Sequence, residues 1–126
     1  NLYHETRGET LAGNIAVGYV TMNRVADPRY PDTVCGVVQQ AKYHGWDLVN
    51  PIRNRCQFSW YCDGISDNPQ DGKAMLESVI LAKHIIAGTV TDISEGATHY
   101  HAKYVNPYWS DDMTVVLEVG QHIFYK

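Results

Sequence analysis

The sequence predicts an α+β fold, mainly helical, with a small β-hairpin at its C-terminal end and long loops lining a cleft. Three patterns carry this expectation. Apolar residues recur at helical spacing over residues 11–25, they do so again over 74–86, and from 113 to 119 they alternate as in a strand before a Val119-Gly120 turn. With 126 residues, 14.2 kDa and 44% hydrophobic residues, there is enough apolar mass for one packed core and too little for two, so residues 1–126 are expected to form one domain.

The chain is organised around its first stretch, Tyr3-His4-Glu5-Thr6-Arg7-Gly8-Glu9. A glycine after a last helical turn lets the backbone enter the left-handed region and reverse. Glu5 is therefore expected at the exit of a first helix, facing a cleft, with Thr10 capping a second helix from Leu11. In that second helix Leu11, Ile15 and Tyr19, and one row over Ala12, Ala16 and Val20, predict a wide buried face. Gly13 and Gly18 each cost up to about 1 kcal/mol of helix propensity, which predicts close approach of another group at both. Pro28 and Pro31 break the helix, and Asp32 or Thr33 then caps a short one reaching Gln40.

Residues 41–72 are rich in Asn, Asp, Gly, Pro and aromatics without a sustained period, and read as long irregular loops. The aromatics within residues 56–64 make that stretch a rigid wall of a site rather than disordered chain. Asn68-Pro69 opens another long helix, with Ala74, Met75, Ser78, Val79, Ala82, Ile85 and Ile86 on its apolar side and Gly88 at its end. Residues 97–101 read as a strand or extended loop. In the tail, Met113, Val115, Leu117 and Val119 lie on one face and Thr114, Val116 and Glu118 on the other, with residues 121–125 folding back after Gly120.

Charge and composition exclude several classes of partner. A formal net charge of -4 with scattered Lys and Arg offers no footprint for a nucleic-acid backbone. No apolar run approaches the roughly 20 residues needed to span a bilayer, so no membrane insertion is expected. Nine Tyr and three Trp against two Phe suit stacking on sugar rings as well as core packing. Cys35, Cys56 and Cys62 make an odd count; one bridge and one free thiol is a consistent outcome, with the pairing open.

Three kinds of chemistry compete. In the first, Glu5 is the general acid of a glycosidase or lytic transglycosylase, its pKa raised by burial against apolar rings such as Tyr3 and the aromatic loop. The bland alternative is that Glu5 and Glu9 are solvated helix-end charges. Arg7 would depress Glu5 if paired with it, but helix positions two apart do not face one another. A two-carboxylate glycosidase would draw its partner from Glu9, Asp63 or Glu118, about 5 to 9 Å away. In the second, His99 and His101 project to one side of a strand as metal ligands, with Cys62, Asp63 or His4 completing the set, although no strong metal spacing is present. In the third, Cys56 or Cys62 pairs with His99 or His101 as in cell-wall peptidases. A non-catalytic wall-binding module is the remaining alternative.

Six blocks in the same order resemble the spore cortex-lytic, SleB-type cell-wall hydrolases: residues 5–9, Asn23-Arg24-Val25, residues 30–38, Gln57-Phe58-Ser59-Trp60, residues 96–101, and His122-Ile123-Phe124-Tyr125. The resemblance implies a lysozyme-like fold, peptidoglycan glycan strands as substrate, Glu5 as the essential acid, and no cofactor. It further implies cleavage between N-acetylmuramic acid and N-acetylglucosamine by attack of the muramic acid 6-hydroxyl, leaving a 1,6-anhydro end. Gln57, Ser59, Thr98, Tyr100 and His101 carry over as substrate contacts. His4, where a small residue usually precedes the glutamate, and the longer stretch from Lys42 to Arg55 depart from the family pattern. The expected state is a monomer acting in the bacterial envelope (periplasm, cell wall or spore cortex) or, phage-encoded, on a host wall. A free-standing domain of this size suits a phage endolysin or trimmed catalytic domain slightly better than a full spore protein.

Overall fold

The computed structural model describes residues 1–126, the side chains of His44, Asp47, Leu48 and Val49 excepted. The elements run α1 (Leu2–Glu5), α2 (Leu11–Ala26), α3 (Val34–Val38), β1 (Ala41–His44), β2 (Asp47–Cys56), α4 (Gly72–Ala87), β3 (His99–Ala102), β4 (Val115–Val119) and β5 (His122–Tyr125). Single 3-10 turns at Ser59–Tyr61 and Tyr108–Asp112 interrupt the connections. The mixed, mainly helical class expected from the sequence is the one observed.

Helix α2 is the central element. Thr10 caps it by accepting a hydrogen bond from the Gly13 amide at 3.1 Å. Its buried residues are Gly13, Ala16, Val17, Gly18, Val20, Thr21 and Arg24. Of the Leu11 row expected to be buried, Leu11 is 67% exposed, whereas Tyr19 packs against the core. The core contacts come instead from a face centred on Ala16, Val17 and Val20, because α1, α4 and the C-terminal sheet all approach from that side. The two helical glycines behave as anticipated: a Cβ at Gly18 would strike Ile85 of α4, and one at Gly13 would strike Glu9. Leu2, Ala16, Val17, Val20, Ile85, Ala97 and Phe124 form the core. Phe124 is fully buried, a contribution of about 1.5–3 kcal/mol for a side chain of this size.

Three expectations need correction. Residues 41–56 are a β-hairpin, with Ala41 paired to Cys56 and Tyr43 to Pro51, rather than irregular loop. Its register shifts between pairs, so no clean alternation reached the sequence. Helix α4 begins at Gly72, capped by Asp71, whose carboxylate accepts from the Ala74 amide; Asn68-Pro69 lies in the preceding loop. The tail does not alternate strictly either. Val115 pairs with Tyr125 and Leu117 with Phe124, so Val116 is an extra residue; Val115 is exposed while Val116, Leu117 and Val119 pack on the core. The C-terminal hairpin is joined by β3 in a three-stranded antiparallel sheet of order β3-β5-β4. Among the described residues, no helix is long and apolar enough to cross a membrane.

Candidate active site

Glu5 is the last residue of α1, and the chain leaves the helix through Thr6, whose buried hydroxyl donates to the Leu2 carbonyl at 2.7 Å. Gly8 then adopts a φ of +78° with nothing near its Cβ position, so glycine is required there for backbone conformation rather than space. Two aromatic contacts fix α1 from outside. His4 stacks on Trp60 with ring centroids 4.6 Å apart and reaches the Asp67 carbonyl through Nε2 at 2.9 Å, while Trp60 donates its indole N–H to the Asn1 side chain at 2.9 Å. His4, the departure from the family pattern, thus ties α1 to the Gln57-Phe58-Ser59-Trp60 block.

Burial is the largest influence on the Glu5 carboxyl and holds it above the ordinary carboxylate range. Opposing that rise are the Tyr100 hydroxyl, which engages the carboxyl as a hydrogen-bond donor, and the nearby His122 and Arg24 side chains. The rise wins, so Glu5 keeps a proton at higher pH than a solvated glutamate would. Tyr100 is itself pushed well above the usual phenol range, first by burial and then by the neighbouring Glu5 charge, which keeps it a donor. Tyr3 does not wall Glu5 as expected: its hydroxyl accepts from the Gln70 and Asp71 amides at 2.9 and 3.1 Å, anchoring the start of α4. Arg7 pairs with Asp71 at 3.9 Å and lies over the Tyr3 ring, consistent with the two-residue spacing argument.

The other carboxylates weighed as partners are committed elsewhere. Glu9 accepts from the Thr10 and Gln121 amides, both at 2.9 Å, and faces His122 Nδ1 at 2.7 Å. Burial alone would raise its pKa, but these bonds outweigh it and hold the carboxyl below its usual value. Asp63 accepts from the Ile65 amide at 2.9 Å, and Glu118 pairs with Lys103 at 3.5 Å on an exposed strand position.

Of the five expected substrate contacts, the structure brings Tyr100 to Glu5. Thr98 is buried; its carbonyl accepts from Arg24 Nε at 2.7 Å and its hydroxyl meets His99 Nδ1 at 3.0 Å. Gln57 and Ser59 are exposed beside the Trp60 clamp. His101 points to the sheet face opposite Tyr100, because successive strand residues alternate. There its Nε2 meets the Tyr125 hydroxyl at 2.7 Å, its Nδ1 the Ala102 carbonyl at 2.8 Å, and its ring packs against Trp109. His99 shares that face with Trp109, and burial lowers its pKa, with Arg24 and Arg29 adding to the effect. Among the described residues, no three His, Cys, Asp or Glu side chains converge as metal ligands would. Cys56 and Cys62 are joined in a disulfide, with Cα atoms 6.0 Å apart, and so cannot supply the thiolate of a Cys/His peptidase; Cys35 is free and exposed.

Of three residues that the fold places around Glu5 and Tyr100, sequence reasoning gave no role to two and weighed the third, Glu9, only as a second carboxylate. Arg24 is 3% exposed, stacked against Tyr30 and Phe58, and burial lowers its pKa. Its neighbour Asn23 donates to the Ala97 carbonyl at 2.9 Å, so the Asn23-Arg24 pair sets the position of β3 and hence of Tyr100. His122 and Glu9 complete the group. All three lie in the sequence blocks already singled out, and membership of those blocks was the one signal that marked them. An apolar cavity of about 200 Å³ between α2, α3 and α4 does not include Glu5; its lining, Met22, Val38, Val79 and Ile86 among it, offers no carboxyl, imidazole or thiol.

The chain belongs to the cell wall hydrolase family, which matches residues 8–125. Glu5 lies three residues ahead of the matched range. The chain is similar to the spore cortex-lytic enzyme of Halalkalibacterium halodurans, at 27% identity over 98% of this chain and 32% of that protein, so it spans about a third of the relative's length. It is similar in structure to the catalytic domain of the germination-specific lytic transglycosylase SleB from Bacillus anthracis, with a TM-score of 0.72 at 25% identity over 99% of this chain and 87% of that one. The Bacillus cereus SleB catalytic domain gives a TM-score of 0.69 at 25% identity, over 99% and 83% of the two chains.

Proposed function

We propose that residues 1–126 act as one catalytic domain that degrades peptidoglycan, cutting the glycosidic bond between N-acetylmuramic acid and N-acetylglucosamine as a lytic transglycosylase with Glu5 as its single acid and base. The observation that carries this reading is the contrast in carboxylates: Glu5 is half-buried, with its pKa raised by desolvation and Tyr100 beside it, whereas Glu9 is locked in three bonds. The likeness to SleB catalytic domains supports the substrate and the reaction class.

In the proposed step, protonated Glu5 donates to the glycosidic oxygen as the bond from that oxygen to the muramic acid anomeric carbon breaks. The resulting carboxylate, stabilised by the Tyr100 hydroxyl, takes the proton of the muramic acid 6-hydroxyl as its oxygen bonds to the same carbon. The ring closes to a 1,6-anhydro end, Glu5 is protonated again, and no water is consumed. This requires neither a second carboxylate nor a metal. Tyr100 contacts the reacting sugar from β3, and Gln57 and Ser59 offer exposed polar groups to the glycan from the opposite wall. Thr98 and His101 serve the same wall by holding β3 in place. The site of action is the bacterial wall, the spore cortex included, which a phage-encoded enzyme would also reach.

Mass spectrometry of digested peptidoglycan tests the reading. The expected products are anhydro-muropeptides, lighter by one water than hydrolysed ends. Exclusively reducing muramic acid ends would mean a lysozyme-type hydrolase, and reducing glucosamine ends would move the cut to the other bond.

A further inference from the structure

Two of the three bonds that the Glu9 side chain makes lead to the turn before β5 and to its first residue. Its Oε1 accepts from the Thr10 amide, its Oε2 accepts from the Gln121 amide, and the same Oε2 meets His122 Nδ1, at 2.9, 2.9 and 2.7 Å. The Glu9 side chain is 4% exposed and that of His122 15%. Two glycines distant in sequence make room for it. A Cβ at Gly13 would strike the Glu9 side chain, with Cδ 2.8 Å away, and one at Gly120 would strike the carboxylate itself. A helix-end charge needs no such room. On its other side the His122 ring meets the Tyr100 ring edge-on, with centroids 5.4 Å apart, across the β3–β5 pairing. Tyr100 in turn engages Glu5.

The inference rests on the reading of Glu5 as the acid. We infer that Glu9 and His122 are positioning residues, a buried pair that fixes Tyr100 so that its hydroxyl engages the Glu5 carboxylate left behind when the proton has been delivered. With Nδ1 tied to Glu9, the imidazole cannot turn about its own axis and presents one fixed edge to the Tyr100 ring. The phenol then has one orientation, and its hydroxyl meets the carboxylate without reorganisation at the moment charge develops there. The side chains facing Glu5 are Tyr100 from β3, His122 from β5 and Arg24 from α2. Loss of Tyr100 or its orientation therefore removes a donor to the charged form of Glu5 and leaves the remaining charges in place.

A double-mutant cycle on solubilised glycan strands tests this, with Glu9→Gln, Tyr100→Phe, the double variant and Glu5→Gln compared with wild type. Glu9→Gln is expected to lower kcat by about 10- to 100-fold with little change in KM, the loss typical of a misplaced catalytic contact. Because both single changes break one linkage, the double variant should fall no more than about threefold below the worse single variant. The alkaline limb of kcat/KM should move to higher pH in both single variants, since a carboxyl that loses a donor to its ionised form holds its proton longer. General loosening of the fold would lower the rate without moving that limb. Fully multiplicative losses, or an unmoved limb in Glu9→Gln, would overturn the pairing while leaving Glu5 as the acid. Wild-type activity in Glu5→Gln would instead remove the reading on which the inference rests. Should Glu9→Gln fail to fold, carboxyl ¹³C NMR titration of Glu5 in wild type, Tyr100→Phe and His122→Phe decides the matter: the Glu5 midpoint rises in both variants if the linkage is real, and an unchanged midpoint in either overturns it.

Discussion

Three residues separate Glu5, at the end of α1, from Glu9, in the turn that leads into α2, and both carboxyls are partly withdrawn from solvent. Around Glu5 the fold supplies one hydroxyl donor and more distant positive charge, and burial prevails. Around Glu9 it supplies two backbone amides and an imidazole, and these prevail over burial. Identical side chains in one short motif thus end with pKa values displaced in opposite directions. Burial by itself does not make a catalytic acid; the number of donors supplied to the buried group decides whether it keeps its proton or becomes a structural anion.

The sharpest way to break this comparison is to neutralise each carboxyl in turn. Glu5→Gln should lower the rate of peptidoglycan cleavage by about 100- to 10,000-fold with the circular dichroism spectrum unchanged, because the amide keeps the shape and cannot deliver a proton. A variant that digests purified sacculi at the wild-type rate would sink the assignment. Glu9→Gln should be impaired less, by the roughly 10- to 100-fold of a misplaced contact, and should lose stability as well.

Thermal melting sharpens the contrast by sign. Replacing Glu9 takes a charged acceptor from the Gln121 and Thr10 amides and from His122, a loss of about 1 kcal/mol. Its depressed carboxyl adds stability that is present above the ordinary carboxylate range and lost as pH falls through the lowered folded value. Glu5 works in reverse. Its folded pKa lies above the unfolded one, so burial of the carboxylate costs stability above the ordinary range, and the cost fades as pH falls and Glu5 takes up its proton. At neutral pH, Glu5→Gln should therefore raise the melting temperature and Glu9→Gln lower it. Shifts of the same sign would mean that the two carboxyls do not differ as described.

A third change probes the space around Glu9. Gly120 has a φ of +57° and sits against the Glu9 carboxylate, so Gly120→Ala is expected to destabilise by more than the roughly 1 kcal/mol of an incompatible backbone alone. Adding Glu9→Ala should recover part of that loss, and strictly additive melting shifts would show that the two residues do not compete for space. The smallest effect should come from reagents. Alkylation is expected to reach Cys35 alone, since Cys56 and Cys62 are bridged, and activity should survive both alkylation and a strong chelator. Loss of activity in the chelator, with release of free peptides, would revive a metal-dependent peptidase.

Much of the local structure was legible in the chain. The Thr10 cap, the extent of α2, the end of α4 at Gly88 and the β4–β5 turn at Gly120 all follow from capping and turn chemistry, which depends on neighbours in sequence. The β1–β2 hairpin was missed because its register shifts, so apolar and polar residues lose the two-residue period. The buried face of α2 was drawn too wide at its start, since Leu11 matches the helical period but is 67% exposed.

The same division holds at the site. Sequence by itself determined that a glutamate would stand at the exit of a first helix, because Gly8 must break the helix there whatever the rest of the chain does, and it marked the six blocks that the family shares. It could not separate Glu5 from Glu9. What separates them is the Tyr100 hydroxyl from β3 on one carboxyl, and Gln121 and His122 from the start of β5 on the other. Those partners stand more than ninety residues along the chain. A carboxyl's pKa depends on which donors lie within a few ångströms, and only the closing of the C-terminal sheet over α1 and α2 places them there.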